Sequence, residues 1–207
     1  MSGKMEKGMD ARYLTELEPA LNNKYGAEKT ISILEYAWKR YEEICRENSS
    51  EPKKMWMHTR KRIYPAIAAF DAMTTEGISR EEAEELLVNY YLDRARPVGE
   101  KIKKLMKIPG LYKLVPGFFA KMTKSSFGDG AGFKSEWKRA DKNGMAFNMT
   151  VCPYQDACVK YGCPEIVKGF CKADDICYGN MHPKLLWGRT KTLGLGDDVC
   201  DFKMTIK

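Results

Sequence analysis

The sequence predicts an α+β fold, with an N-terminal helical layer packed on a small C-terminal antiparallel β-sheet. Three observations predict it. Apolar residues recur every three or four positions through the first two thirds of the chain. After Gly132 that period drops to two. The alternating stretches are separated by glycine-rich turn signals, Asn143-Gly144 and Gly194-Leu195-Gly196. A length of 207 residues is enough for one core. The expected organisation is a single domain over 1–207, mainly helical through 125 and mixed hairpins and helices from 132.

Within the helical part, Ile31, Leu34, Trp38, Tyr41 and Cys45 predict one apolar stripe on a helix over Glu28–Asn48. Cys45 on that stripe reads as a core thiol. A helix over Lys54–Thr74 follows, with Ile63, Ile67 and Phe70 turned inward. Ser79-Arg80-Glu81-Glu82 is a capping box that opens the next helix. Its buried face is expected to be Ala83, Leu86, Leu87, Tyr90, Tyr91 and Ala95, and Pro97 is expected to weaken or end it. Ile108-Pro109-Gly110 breaks the chain again. The apolar stretch Leu111–Met122, interrupted at Pro116-Gly117, reads as a lid or buried connection; the alternative is an interfacial helix on anionic lipid. Phe127–Phe133 reads as a loop, since its glycines lack the Gly-Lys-Ser/Thr continuation of a phosphate cradle.

In the remainder, Phe133, Ser135, Trp137 and Arg139 alternate with polar residues, Lys142-Asn143-Gly144 supplies a turn, and Met145, Phe147, Met149 and Val151 form the returning apolar face. Two helices are expected around Tyr154–Tyr161 and Glu165–Tyr178. A last hairpin is expected to pair Leu185–Leu193 with Val199–Ile206. On its second strand Cys200, Phe202, Met204 and Ile206 share one face, with Asp201, Lys203 and Thr205 on the other.

Composition narrows the function classes. Hydrophobic residues at 43% and charged residues at 30% exclude a collagen-like, disordered or integral-membrane chain. The start, Met1–Gly8, lacks the apolar stretch of a signal peptide, so a cytoplasmic location is expected. The net charge of +7 comes from lysines spread along the chain, and no nucleic-acid motif accompanies them. A small-molecule substrate is the expected partner, with weak peripheral membrane contact the alternative. The sequence leaves the oligomeric state open.

Seven cysteines occur, and all but Cys45 lie between Cys152 and Cys200. The gaps between them are five, four, seven, five and twenty-two residues, so none is the two-residue step of a zinc knuckle or an iron–sulfur motif. With only His58 and His182 in the chain, a histidine-rich metal site is excluded. No cofactor is expected, a metal or iron–sulfur cluster being the alternative use of the thiols. His182, before Pro183, reads as an exposed loop residue. Cys171-Lys172-Ala173-Asp174 places a thiol and a carboxylate on one helix face, where a nearby cation or a helix end can activate the thiol. Arg189 and Asp201 on paired strands form either an ion pair or a carboxylate clamp with an acid–base group.

From about Arg60 the chain resembles the L-2-amino-thiazoline-4-carboxylic acid hydrolase family, most densely at its end. The resemblance runs through Ile108-Pro109-Gly110-Leu111-Tyr112, the Phe127–Phe133 loop and Cys152-Pro153-Tyr154. It continues in Cys171-x-x-Asp174, Arg189-Thr190-x-Thr192, and Gly196 followed by Cys200-Asp201-Phe202. Cys158, Cys163 and Cys177 lie outside the pattern, and Lys203 stands where arginine is expected. The resemblance implies hydrolysis of a carbon–nitrogen bond in a cyclic amidine, opening an aminothiazoline ring to N-carbamoyl-cysteine. Asp174 or Asp201 would be the general acid/base and Arg189 the carboxylate clamp. Cys171 would be the nucleophile or a polar lining group, with Cys200 a further catalytic candidate and Thr190 and Cys152 contacting substrate. The alternative is a non-catalytic ligand-, metal- or redox-sensing protein on the same scaffold.

Overall fold

A computed structural model describes residues 12–207; the polar start Met1–Gly8 lies outside the described residues. The architecture is α+β: seven α-helices and a four-stranded antiparallel sheet among the described residues. The chain divides into two compact units, Met1–Tyr90 with Ala157–Ile166, and Tyr91–Asp156 with Val167–Lys207.

The first unit is helical. Helix α1 (Arg12–Tyr25) contributes Leu14, Leu17 and Leu21 to its core. In α2 (Ala27–Glu47) the buried face is Ile33, Ala37, Tyr41, Ile44 and Cys45, while Ile31 is exposed. The expected stripe was therefore displaced by part of a turn, because the small Ala37, which the periodicity passed over, marks where the next helix approaches. That neighbour, α3 (Tyr64–Thr75), is apolar almost all round and buries Ala66, Ala68, Ala69 and Ala72 with Ile67 and Phe70. Arg40 of α2 reaches Asp71 of α3 at 2.8 Å.

The helix expected from Lys54 starts later. Residues 54–58 are turns, and Thr59–Ile63 winds as a π-helix, with Lys61 donating to the Trp56 carbonyl and Ile63 to that of His58. Pro65 explains the irregularity. It has no N–H to offer the carbonyl five residues back, so the Arg60 carbonyl accepts the Tyr41 hydroxyl instead, at 2.9 Å. Helix α4 (Arg80–Leu105) opens on half of the capping box: the Glu82 N–H donates to Ser79 Oγ at 3.2 Å. The Glu82 side chain does not return to the cap; it accepts from Tyr25 and pairs with Lys24. Pro97 does not end α4, which continues two turns further.

The second unit carries the sheet. Pro116 sits in the first turn of α5 (Val115–Ser126), starting that helix where an interruption was expected. Phe127–Phe133 is a loop with one 3₁₀ turn, Asp129–Ala131, and Phe133 is buried against Phe127 and Tyr154. Strands β1 (Lys134–Asp141) and β2 (Gly144–Val151) form the first hairpin. Its turn does not use the positive φ that Asn-Gly tolerates: neither Asn143 nor Gly144 has one. Asp141 Oδ1 accepts the N–H groups of Asn143 and Gly144 and closes the turn by itself.

Helix α6 (Pro153–Lys160) and helix α7 (Val167–Tyr178) follow as expected. The sheet order is β1-β2-β4-β3, with β3 (Leu185–Gly188) and β4 (Cys200–Ile206). A row of rings crosses it: Trp137, Phe147, Phe202 and Trp187, at centroid distances of 4.6, 5.0 and 5.7 Å. Cross-strand aromatic pairs of this kind hold register, because a one-residue slip would turn every ring to the other face.

Candidate functional site

Strand β3 stops at Gly188, so Arg189–Thr192 is not on a strand as expected. The physical reason is that side chains take the N–H groups a ladder would use. Asp201 Oδ1 accepts from the backbone of Thr190 at 2.7 Å and of Lys191 at 2.5 Å, and its Oδ2 accepts the Thr190 hydroxyl at 2.6 Å. The Thr192 N–H donates to Asp197, and the Leu193 N–H to Cys200 Sγ at 3.2 Å. Burial works against the charge of Asp201, but these donors outweigh it and hold the carboxyl below its ordinary value.

Of the two uses open to Arg189 and Asp201, the ion pair is not formed: Asp201 is taken up by Thr190 and Lys191. Arg189 turns to α7, where positions 171, 174 and 175 share a face. Its guanidinium donates to the Cys171 carbonyl at 2.7 Å and to Asp175 at 2.6 Å, and lies 3.8 Å from Asp174. It also stands 5.1 Å from the ring centre of Phe202, within the aromatic row. The Arg189 side chain is 3% exposed, against 45% for Asp174. Burial alone would lower the pKa of Arg189; Asp175 and Asp174 reverse that and raise it. Asp175, which the sequence reading passed over, also accepts the Trp187 indole N–H at 3.0 Å. The signal for it was present, since it lies one turn beyond Cys171.

The thiols separate into groups. Cys152, Cys171 and Cys200 come from separate segments, and a negative charge on one would oppose ionisation of its neighbours. Cys152 stands before α6, where the backbone N–H groups of Gln155 and Tyr154 favour its thiolate. Burial nevertheless pushes its thiol up to about 12, and that of Cys171 to about 12 despite Arg189. Burial raises Cys200 as well, against the pull of Leu193 N–H and Arg189. All three are thiols at neutral pH. Gly194 packs on Cys171 so closely that an added Cβ would lie 3.0 Å from its sulfur and 2.7 Å from Val167 Cγ1. Cys158 and Cys163 are fully buried in the helical unit, and Cys177 donates to the Ala95 carbonyl. No group of three His, Cys, Asp or Glu among the described residues is arranged to hold a metal ion. His182 is not bare: its ring stacks on Tyr112 at 4.3 Å and Nδ1 accepts the Lys184 N–H.

An α+β scaffold that sets a shielded guanidinium beside a half-exposed carboxylate and buried thiols has the parts of a small-molecule site. The family is shown by sequence: a model of the L-2-amino-thiazoline-4-carboxylic acid hydrolases matches residues 56–204, and the chain belongs to that family. No curated protein matches the chain. Two solved structures, the Fe(II) unliganded H-NOX protein from K. algicida and a point mutant of it, align over 96% of this chain and 97% of theirs. Identity is 11% and TM-score 0.33 in both, too slight a likeness to assign fold or function. Among the described residues no helix is long and apolar enough to cross a membrane.

Proposed function

We propose that this chain is a hydrolase that opens a small cyclic amidine carrying a carboxylate, with L-2-amino-thiazoline-4-carboxylate as the type substrate. Family membership supports the substrate class. The single structural observation that carries the site is the Arg189–Asp174 pair on the Cys171 face of α7. Asp174 is the general base: it is half-exposed, and its 3.8 Å contact with Arg189 is long enough for an incoming carboxylate to replace. Losing that cation makes Asp174 the stronger base at the moment substrate is bound. Asp201 is a positioning residue, since both its oxygens are already engaged. Thr190 belongs to the same clasp, and Cys152 stands at the start of α6. The protonated state of Cys171 favours a polar lining role over that of a nucleophile.

Asp174 takes a proton from water, whose oxygen bonds to the ring carbon between nitrogen and sulfur. The tetrahedral carbon then expels one ring atom, which receives the proton. If the carbon–sulfur bond breaks, the product is N-carbamoyl-cysteine with a free thiol; if the ring carbon–nitrogen bond breaks, it is S-carbamoyl-cysteine with a free amine. Carbon–nitrogen cleavage and an N-carbamoyl product, expected together from the resemblance, are thus incompatible.

The test incubates the protein with aminothiazoline carboxylate and follows the hydrated product by mass spectrometry. A thiol reagent separates the two isomers, which share one mass. Asp174→Asn is expected to lower kcat by about 100-fold or more, and Arg189→Ala to raise KM. Absence of ring opening by the folded wild type would refute the reading.

A further inference from the structure

The helical unit holds a buried cation that nothing in the candidate site uses. Arg60 is 5% exposed, lies in the π-helical turn, and its Nε is buried with no hydrogen-bond partner. The indole N–H of Trp56 is likewise buried and unpartnered. The two side chains are already together, with the guanidinium carbon 4.2 Å from the indole ring centre. The nearest acid in sequence, Glu51, accepts instead from the hydroxyls of Thr59 and Tyr64. The π-helical turn is itself pinned, through Tyr41 on the Arg60 carbonyl. A desolvated guanidinium is costly unless a counter-charge or acceptor meets it, and buried charges are normally paired. Here two buried donors on stacked side chains, Arg60 Nε–H and the Trp56 indole N–H, both lack an acceptor.

We propose that Arg60 and Trp56 form a binding site for a small carboxylate anion. A planar guanidinium fork matches the two oxygens of a carboxylate, and an indole N–H adds a third donor to the same group. The single positive charge of the pair matches one negative charge. This inference does not depend on the proposed hydrolase activity, and its test reads binding alone.

The experiment titrates the full-length protein with sodium acetate, with inorganic phosphate and with sodium chloride at equal ionic strength. Binding is read by calorimetry, and by tryptophan fluorescence compared with Trp56→Phe. The expected result is saturable acetate binding that chloride does not reproduce, with a fluorescence change lost in Trp56→Phe. Arg60→Met is expected to weaken acetate by about tenfold or more. Arg60→Lys, which keeps the charge but not the fork, serves where the methionine variant fails to fold, and should weaken acetate as well. Equal acetate affinity in wild type and either folded variant overturns the proposal. So does a wild-type response no different from that to chloride. Saturation by phosphate without saturation by acetate overturns the carboxylate assignment.

Discussion

Asp201 accepts three hydrogen bonds from Thr190 and Lys191 and so sets the path of the segment that carries Arg189. Asp201→Ala leaves two exposed backbone N–H groups to water and is expected to cost about 0.5–1.5 kcal/mol, read from urea unfolding. Its pH dependence has a definite sign. A carboxyl held below its ordinary pKa in the fold adds stability above about pH 4, and that stability is lost as pH falls. Asp201→Asn should therefore flatten the acid limb of the unfolding curve. Cys171 provides a second check. With its thiol pushed up to about 12, the thiolate fraction at pH 8 is on the order of 10⁻⁴. Iodoacetamide at pH 8 should leave Cys171 unmodified in the folded protein and modify it in urea, as peptide mapping will show. Rapid native alkylation would mean that the site activates this thiol.

Among the elements, α4 and α7 meet where there is no room for a side chain. A Cβ on Gly99 of α4 would lie 2.7 Å from the Ile176 carbonyl of α7. In an open helix, replacing glycine by alanine gains about 1 kcal/mol. Here the sign should reverse, with Gly99→Ala lowering stability by about 1–3 kcal/mol through backbone displacement. A thermal midpoint at or above that of wild type would show that the two helices separate easily. Gly194 plays the same part for the turn after Thr192, where alanine would push on Val167 and on the sulfur of Cys171. Gly194→Ala is expected to impair ring opening more than it impairs folding, since the displaced atoms belong to the α7 face that bears Asp174.

For the whole molecule the titrating groups pull in two directions. Glu47, Asp141, Asp198 and Asp201 are held low by their partners, so the stability they add is lost below about pH 4. Cys152, Cys171 and Cys200 are held high by burial, as is Tyr161 at about 12. Groups raised in the fold favour it while protonated, and the unfolded chain gains once pH exceeds their unfolded values, near 8.5 for cysteine. Asp71 and Asp156, raised by burial, oppose the acid trend without reversing it. A plateau between about pH 5 and 8, with a fall on both sides, is the expected urea-midpoint profile. A midpoint that climbs between pH 8.5 and 10 would contradict the protonated thiols.

Much of this architecture was determined by local rules that a single sequence carries. The period of 3.6 in Ala27–Glu47 and of two in Gly144–Val151, the serine that starts α4, and the pairing of Cys171 with Asp174 on one face all follow from spacing. Family membership was legible as well, because its motifs keep their order along the chain. What the tertiary structure decided are the partners. Strand pairing offered Arg189 only Asp201, and the packing of α7 beside the end of β3 gave it to Asp175 while Asp201 went to the backbone. The same limit applies to Arg60, whose Nε is left without a partner by packing that its sequence neighbours do not report. Periodicity reports which way a side chain points; hydrogen bonding between distant segments depends on distances of a few tenths of an ångström that only the assembled core sets.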